Sequence, residues 1–264
     1  KIPGLGVKVA QIDVDGAELG RNYPNSASAL GDARESMRAL IDAVSPVAGR
    51  DGWLGRMAEI ESDWAAEHQQ RWKSDATPMR PERLCKEVSA ALPDDGVVVV
   101  DTGHNAMWAG MYLDINKPGQ QFLRCAGSLG WAFPAAIGAK CGVGDRPVIC
   151  LTGDGGLWYH LTELETAVNH GIPLVTVIND NSSFNQTQGG VKRAFADNAG
   201  GGDNVWKFTS VDFAAVAQEM GAIGILVTEP GELKGAIEEA LKADRPVVID
   251  AKPDPAALAP LPWG

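Results

Sequence analysis

The chain has 264 residues, 45% of them apolar, with a formal net charge of −11. That length and apolar content suffice for one good-sized core and a smaller appendage, which excludes a disordered chain. The acidic balance argues against nucleic acid as a partner, since a phosphate backbone calls for a basic footprint. The acidic residues are scattered as a solvated surface.

Residues 8–13, "KVAQID", read as a short strand, and "GDARESMRALIDAV" places Ala33, Met37, Leu40, Ile41 and Val44 at helical spacing. One strand and one helix have little to bury against, so residues 1–45 read as the end of a second α/β domain. Residues 46–79 read as a linker: an amphipathic helix over 50–73 carrying Trp53, Met57, Ile60, Trp64 and Trp72, then the proline-containing break "SDATPMRPE". The tryptophans Trp53, Trp64 and Trp72 are expected to anchor packing against a missing neighbour.

Residues 80–264 carry regular signals. A helix at 80–91 leads to "GVVVVD", an apolar segment at 103–113 to "QQFLRC", and "GWAFPAAIGAKC" to "RPVICLTGDG". A helix at 156–169 leads to "IPLVTVIND", one at 210–220 to "AIGILVT", and one at 230–242 to "RPVVIDA". Strands apolar throughout, alternating with helices, predict a doubly wound α/β domain: a parallel sheet with helices on both faces. The stretch "NAGGGDN" at 198–204 is expected to be a mobile loop.

No apolar run approaches the roughly 18 residues of a membrane helix, and the first residues lack the pattern of a secretory signal. A cytoplasmic location is the expectation, with no membrane partner. Cys85, Cys125, Cys141 and Cys150 show no C-x-x-C spacing and are expected to be reduced, buried thiols.

Ligands of such sheets bind beyond the carboxyl ends of the strands. Four segments deliver polar or glycine-rich loops there: "DTGHN" (101–105), "CAGSLG" (125–130), "TGDGG" (152–156) and "NDNSSFN" (179–185). Gly153, Gly155 and Gly156 let backbone amides approach an anion at a helix start. Asp154 and Asn181 offer hard oxygen ligands suited to Mg²⁺, an ion that commonly completes its shell with substrate phosphates.

In family order, "GDGG…NDN", "DTGHNAMWAG" and "GSLGWAFPAAIGA" resemble the motifs of thiamine diphosphate enzymes of the acetolactate synthase-like family. The N-terminal "IDVDGAELGRNYPNSASALGDARESMRALI" is similar to the end of their central domain. The resemblance runs from about residue 8 to residue 252. It implies thiamine diphosphate and Mg²⁺ as cofactors, with Asp154, Asn181 and the backbone carbonyl of Ser183 as metal ligands. Gly153, Gly155 and Gly156 are placed at the diphosphate, joined by Gly103, His104 and Asn105 from the first loop. Gly127, Ser128 and Leu129 are placed against the rest of the cofactor: the Gly127 carbonyl accepts from the aminopyrimidine, and Leu129 props the bent conformer. His160 and His170 read as structural helix histidines.

The resemblance further implies carbon–carbon bond cleavage or formation on a 2-oxoacid or 2-hydroxyacyl substrate. It assigns no catalytic acid or base within the chain. The proton-relay glutamate is expected on a pyrimidine-binding domain in another chain or in a missing N-terminal segment, giving a homodimer, tetramer or hetero-oligomer. FAD is compatible with the central domain, but nothing in this segment calls for it. Gln188-Gly189 stands where acetolactate synthases usually have Gln-Trp, which puts acetolactate synthesis itself in doubt. Two rival readings are a non-catalytic cofactor-domain subunit that assembles with or regulates a partner, and a dinucleotide oxidoreductase. The second lacks a G-x-G-x-x-G turn after an early strand.

Overall fold

The structure is a computed structural model that describes residues 3–4, 6–125, 127–195 and 202–259. The chain divides between Ser62 and Asp63 into two compact units.

In the first unit, β1 (Ala10–Asp13) pairs in parallel with β2 (Ala27–Leu30), Ala10 lying opposite Ala27. The β2 segment "ASAL" has no apolar alternation to reveal it, and the strand reading of the sequence stops at β1. Helix α1 (Ala33–Ala43) starts where the Asp32 carboxylate accepts the N–H groups of Arg34 and Glu35, a side-chain cap for otherwise orphan donors. Its apolar stripe is only partly covered: Ile41 is 66% exposed. Helix α2 (Asp51–Trp72) follows, and the division between the units falls inside it.

The second unit takes its helices and strands in alternation. They are α3 (Pro81–Ala91), β3 (Val97–Val100), α4 (His104–Tyr112), β4 (Gln121–Arg124), α5 (Ala132–Val143) and β5 (Val148–Gly153). Then come α6 (Asp154–His160), α7 (Glu163–Asn169), β6 (Val175–Asn179), α8 (Gln188–Ala194), α9 (Phe213–Glu219), β7 (Ile223–Val227), α10 (Leu233–Ala240) and β8 (Val247–Ala251). The six strands β3 to β8 form one parallel sheet in the order β4-β3-β5-β6-β8-β7, the doubly wound architecture that the sequence predicts.

Side chains alternate across a strand, and here both alternating sets are buried. Val98, Val100, Ile149, Leu151, Val177 and Ile249 pack with Leu84 and Val88 of α3 and with Leu233 and Ile237 of α10. Val97, Val99, Val148, Cys150 and Val248 pack with Phe133 of α5, Leu164 of α7 and Phe213 of α9. A strand buried on both faces has no polar position to spare, which is why "VVVV" reads as it does.

Three expectations need correction. The helix over 156–169 begins earlier, at Asp154, and is two helices: Leu164 and Glu165 donate to Leu161 and Thr162, three residues back, and this tightening ends α6. Trp64 and Trp72 need no outside neighbour. Their rings lie 5.6 and 6.2 Å from that of Tyr112, beside buried Trp108 and Cys85, whereas Trp53 is 65% exposed. All four cysteines are free, but only Cys85 and Cys150 are buried, Cys141 being exposed. Most of the 198–204 loop lies outside the described residues. Among these, no helix is long and apolar enough to cross a membrane.

The sheet order positions the site. From β3 the chain winds outward to β4, and from β5 it winds the opposite way to β6. The crevice between the carboxyl ends of β3 and β5 is thus a topological switch point, where neither connection covers the sheet end.

Candidate functional site

A cavity of about 330 Å³ opens at that switch point, within the usual size of ligand pockets. Three glycine turns and the loop after β6 wall it. Gly103, His104 and Asn105 come from the end of β3, Gly127 and Leu129 from the turn before α5, and Gly153, Asp154, Gly155 and Gly156 from the end of β5; Asn181 and Ser183 follow β6. Of the residues that the resemblance places at the cofactor or metal, Ser128 alone does not line the cavity; it is exposed, and its carbonyl accepts from the Trp131 N–H. Thr102, Trp108, Asn179, Phe184 and Asn185, which lie within the quoted motifs but were given no role, line it as well, as do Pro81, Gln186 and Thr187, to which no motif pointed.

One buried carboxylate ties three of these walls together. Asp101 accepts from Thr102 N–H at 2.8 Å, from the Thr152 hydroxyl at 3.0 Å, and from Gly130 N–H at 3.0 Å with both oxygens. Burial pushes its pKa up, partly offset by these donors. The carboxylate also leaves no room for a side chain at Gly156: a Cβ there would sit 2.1 Å from Asp101 Oδ2. At Gly155 a Cβ would sit 2.6 Å from the Phe184 ring. The glycines of this turn are therefore dictated by what packs on them, and the bare backbone faces the cavity. Helix α6 starts at Asp154, so the first-turn amides of Gly155 and Gly156 have no partner one turn back.

Opposite lies a corner of oxygens. Asp154 is 2% exposed and accepts Ser183 N–H at 2.8 Å, while Ser183 Oγ donates to Asn181 Oδ1 at 2.9 Å. Burial first, and the nearby Asp180 carboxylate second, push the Asp154 pKa well up. Such a site gains from a cation. Behind it, Lys252 Nζ bridges Asp180 and Asp250, the latter at 2.8 Å. Two buried carboxylates thus share one ammonium.

The cavity fits the diphosphate and cation that the resemblance implies. Three lining residues carry a buried polar atom with no hydrogen-bond partner among the described residues: His104 Nδ1, Asn179 Oδ1 and Asn185 Oδ1. Buried orphans of this kind are rare unless something else satisfies them. Burial lowers the His104 pKa, favouring the neutral ring. Among the described residues no three His, Cys, Asp or Glu side chains converge on a metal position; a cation here would take one carboxylate with amide and carbonyl oxygens, a hard donor set. Asn105 is committed elsewhere: its side-chain N–H donates to the Leu151 carbonyl at 2.9 Å, and its Oδ1 accepts from Asn179 at 3.4 Å. His160 ends α6 beside Gly130, and His170 caps α7.

Residues 101–251 match the model of the thiamine pyrophosphate enzyme C-terminal TPP-binding domain. The chain is 31% identical, over 97% of its length, to a probable acetolactate synthase large subunit of Methanococcus aeolicus. It is 29% identical, over 93%, to a benzoylformate decarboxylase of Pseudomonas aeruginosa and 27% identical, over 89%, to a sulfoacetaldehyde acetyltransferase of Castellaniella defragrans. It spans less than half of each of these relatives, 45%, 43% and 42% of their lengths.

Proposed function

The chain belongs to the thiamine pyrophosphate enzymes and carries their C-terminal cofactor-binding domain, and on that premise we propose that it is the diphosphate-binding half of an enzyme that makes or breaks a carbon–carbon bond beside a carbonyl. The substrate class is a 2-oxoacid or a 2-hydroxyacyl compound, and the activity a lyase or transferase. The observation that carries this reading is the pairing, in one cavity, of a hard-oxygen corner at Asp154 and Asn181 with side-chain-free backbone at Gly155 and Gly156.

Asp154, Asn181 and the Ser183 carbonyl would hold Mg²⁺. The first-turn amides of α6 and His104 Nδ1 would hold the diphosphate. The Gly127 carbonyl would orient the aminopyrimidine, and Leu129, half-buried in the cavity wall, would press the cofactor into its reactive bend. Asn105 serves as a brace between α4 and β5 instead of a direct contact. Bound there, the cofactor supplies an electron sink for the bond being made or broken. The pyrimidine-binding domain, with its glutamate, comes from another chain or another segment of the same polypeptide, and residues 1–45 are part of a further α/β domain.

The test is calorimetric titration of thiamine diphosphate in the presence of Mg²⁺, for the wild-type chain and for Asp154→Ala. Supplied with a pyrimidine-binding partner where the isolated chain binds weakly, the wild type is expected to bind and the variant to lose Mg²⁺-dependent binding while keeping its circular dichroism spectrum. Equal affinities would sink the site assignment.

A further inference from the structure

Lys252 stands just beyond β8, outside the cavity, and does more than neutralise charge. Its ammonium meets the carboxylates of Asp180 and Asp250, 1% and 0% exposed in their side chains, and donates to the Val211 carbonyl at 3.0 Å. With these three partners it joins the ends of β6 and β8 to the segment before α9. Asp180, held this way by Oδ2, uses Oδ1 to accept Ser182 N–H at 2.9 Å, with the Ser182 hydroxyl at 3.4 Å.

Ser182 is the one non-glycine residue with positive φ among the described residues, at 53°. A serine in that region is strained and persists only where its surroundings hold it. What this conformation achieves is visible one residue on: Ser183 N–H reaches Asp154 Oδ2, and Ser183 Oγ reaches Asn181 Oδ1. A continuous path of contacts therefore runs from Lys252 through Asp180 and the left-handed Ser182 to the oxygen corner.

We propose that Lys252 is a positioning residue, whose grip on Asp180 holds the 181–183 turn in the shape that presents Asn181 and Ser183 beside Asp154. This rests on the reading of that corner as the cation site, but the first test does not require a bound cofactor. Lys252 touches none of the cavity's lining residues assigned to the ligand. Its effect is transmitted through the turn, as residues behind a metal ligand commonly act.

The experiment is amide hydrogen exchange on the ligand-free chain for wild type, Lys252→Met, Lys252→Arg, Asp180→Ala and the Met/Ala double variant. Lys252→Met is expected to speed exchange at Ser182 and Ser183 while Val177 and Ile249, in the strand centres, keep their protection. Lys252→Arg, which can still bridge two carboxylates, should restore it. Should Lys252→Met fail to fold because two buried carboxylates lose their counter-ion, Asp180→Ala removes the link without stranding the lysine, which keeps Asp250. It should loosen the same two amides, and the double variant should loosen them no further than either single change. Unchanged protection at Ser182 and Ser183 in Asp180→Ala, or loss spread evenly over β6 and β8, overturns the proposal. Mg²⁺ affinity in the presence of thiamine diphosphate should fall on the order of 10- to 100-fold in the loosened variants. Failure of the wild type to bind would count against the cofactor reading alone, because the exchange result is obtained without ligand.

Discussion

Replacing Gly156 with alanine sets a methyl group against the carboxylate that organises the cavity. The added Cβ would lie 2.1 Å from Asp101 Oδ2, 2.9 Å from Thr152 Oγ1 and 3.0 Å from Asp101 Cγ. Ordinary contact begins near 3.4 Å, so the carboxylate must retreat by more than 1 Å. That displacement breaks its 3.0 Å bonds to Gly130 N–H and Thr152 Oγ. Overpacking of this kind costs about 1–3 kcal/mol, and each hydrogen bond to a charged group is worth about 1.5–3 kcal/mol. Alanine's better helix propensity returns only about 1 kcal/mol. The net expectation is a loss of about 3–8 kcal/mol, a large share of the 5–15 kcal/mol typical of a domain. Urea unfolding followed by circular dichroism measures it; with m values of about 1–3 kcal/mol per molar, the midpoint should fall by more than about 1 M. The control is Gly138→Ala in α5, where a Cβ meets nothing within 4 Å and a gain of about 0.5–1 kcal/mol is expected. If both variants shift the midpoint alike, the steric argument is wrong.

Two further outcomes follow from the same cavity. Burial and Asp180 raise the folded-state pKa of Asp154, so at neutral pH the folded chain retains a proton that the unfolded chain has released. Its contribution is thus fully present below about pH 3.9 and is lost as pH rises, at up to about 1.4 kcal/mol per unit until the folded pKa is passed. In metal-free buffer, Asp154→Asn should therefore be more stable than wild type at pH 7 and equal to it near pH 3; parallel stability-pH curves would refute this. Leu129→Ala in the assembled enzyme should lower kcat on the order of 10- to 100-fold through misplacement of the reacting atoms, with a smaller change in thiamine diphosphate Kd; unchanged turnover removes the propping role.

What the sequence made legible follows burial and local spacing. A strand such as "VVVV" is apolar at every position because helices cover both faces of the sheet. The "GDGG" and "NDN" motifs are visible because their ligand-type residues sit within a few positions of one another, at the ends of β5 and β6. The network behind them was not visible. Asp101 and Gly156 touch across 55 residues of chain, as do Asp180 and Lys252 across 72, and no local pattern encodes such a pairing. A signal did exist: Asp250, inside the otherwise apolar "VVIDA", is a charge in a fully buried strand, which requires a partner somewhere. Asn105 carries a second role that local sequence does not encode, since it lines the cavity and also donates to a strand carbonyl 46 positions away.

The order of the sheet strands also governs how binding can be observed. The walls of the cavity hang from β3, β4, β5 and β6, and β6 is completed by β8, which pairs Val175 with Val247. The pocket therefore exists only once the most distant segments have met, and no early fragment of the fold offers it to a ligand. Occupancy must then stabilise the second unit as a whole: a ligand at 100 times its Kd adds about 2.7 kcal/mol to unfolding. A shift in melting temperature becomes a direct gauge of affinity, so candidate ligands can be ranked by heating the chain in their presence, before any reaction has been identified.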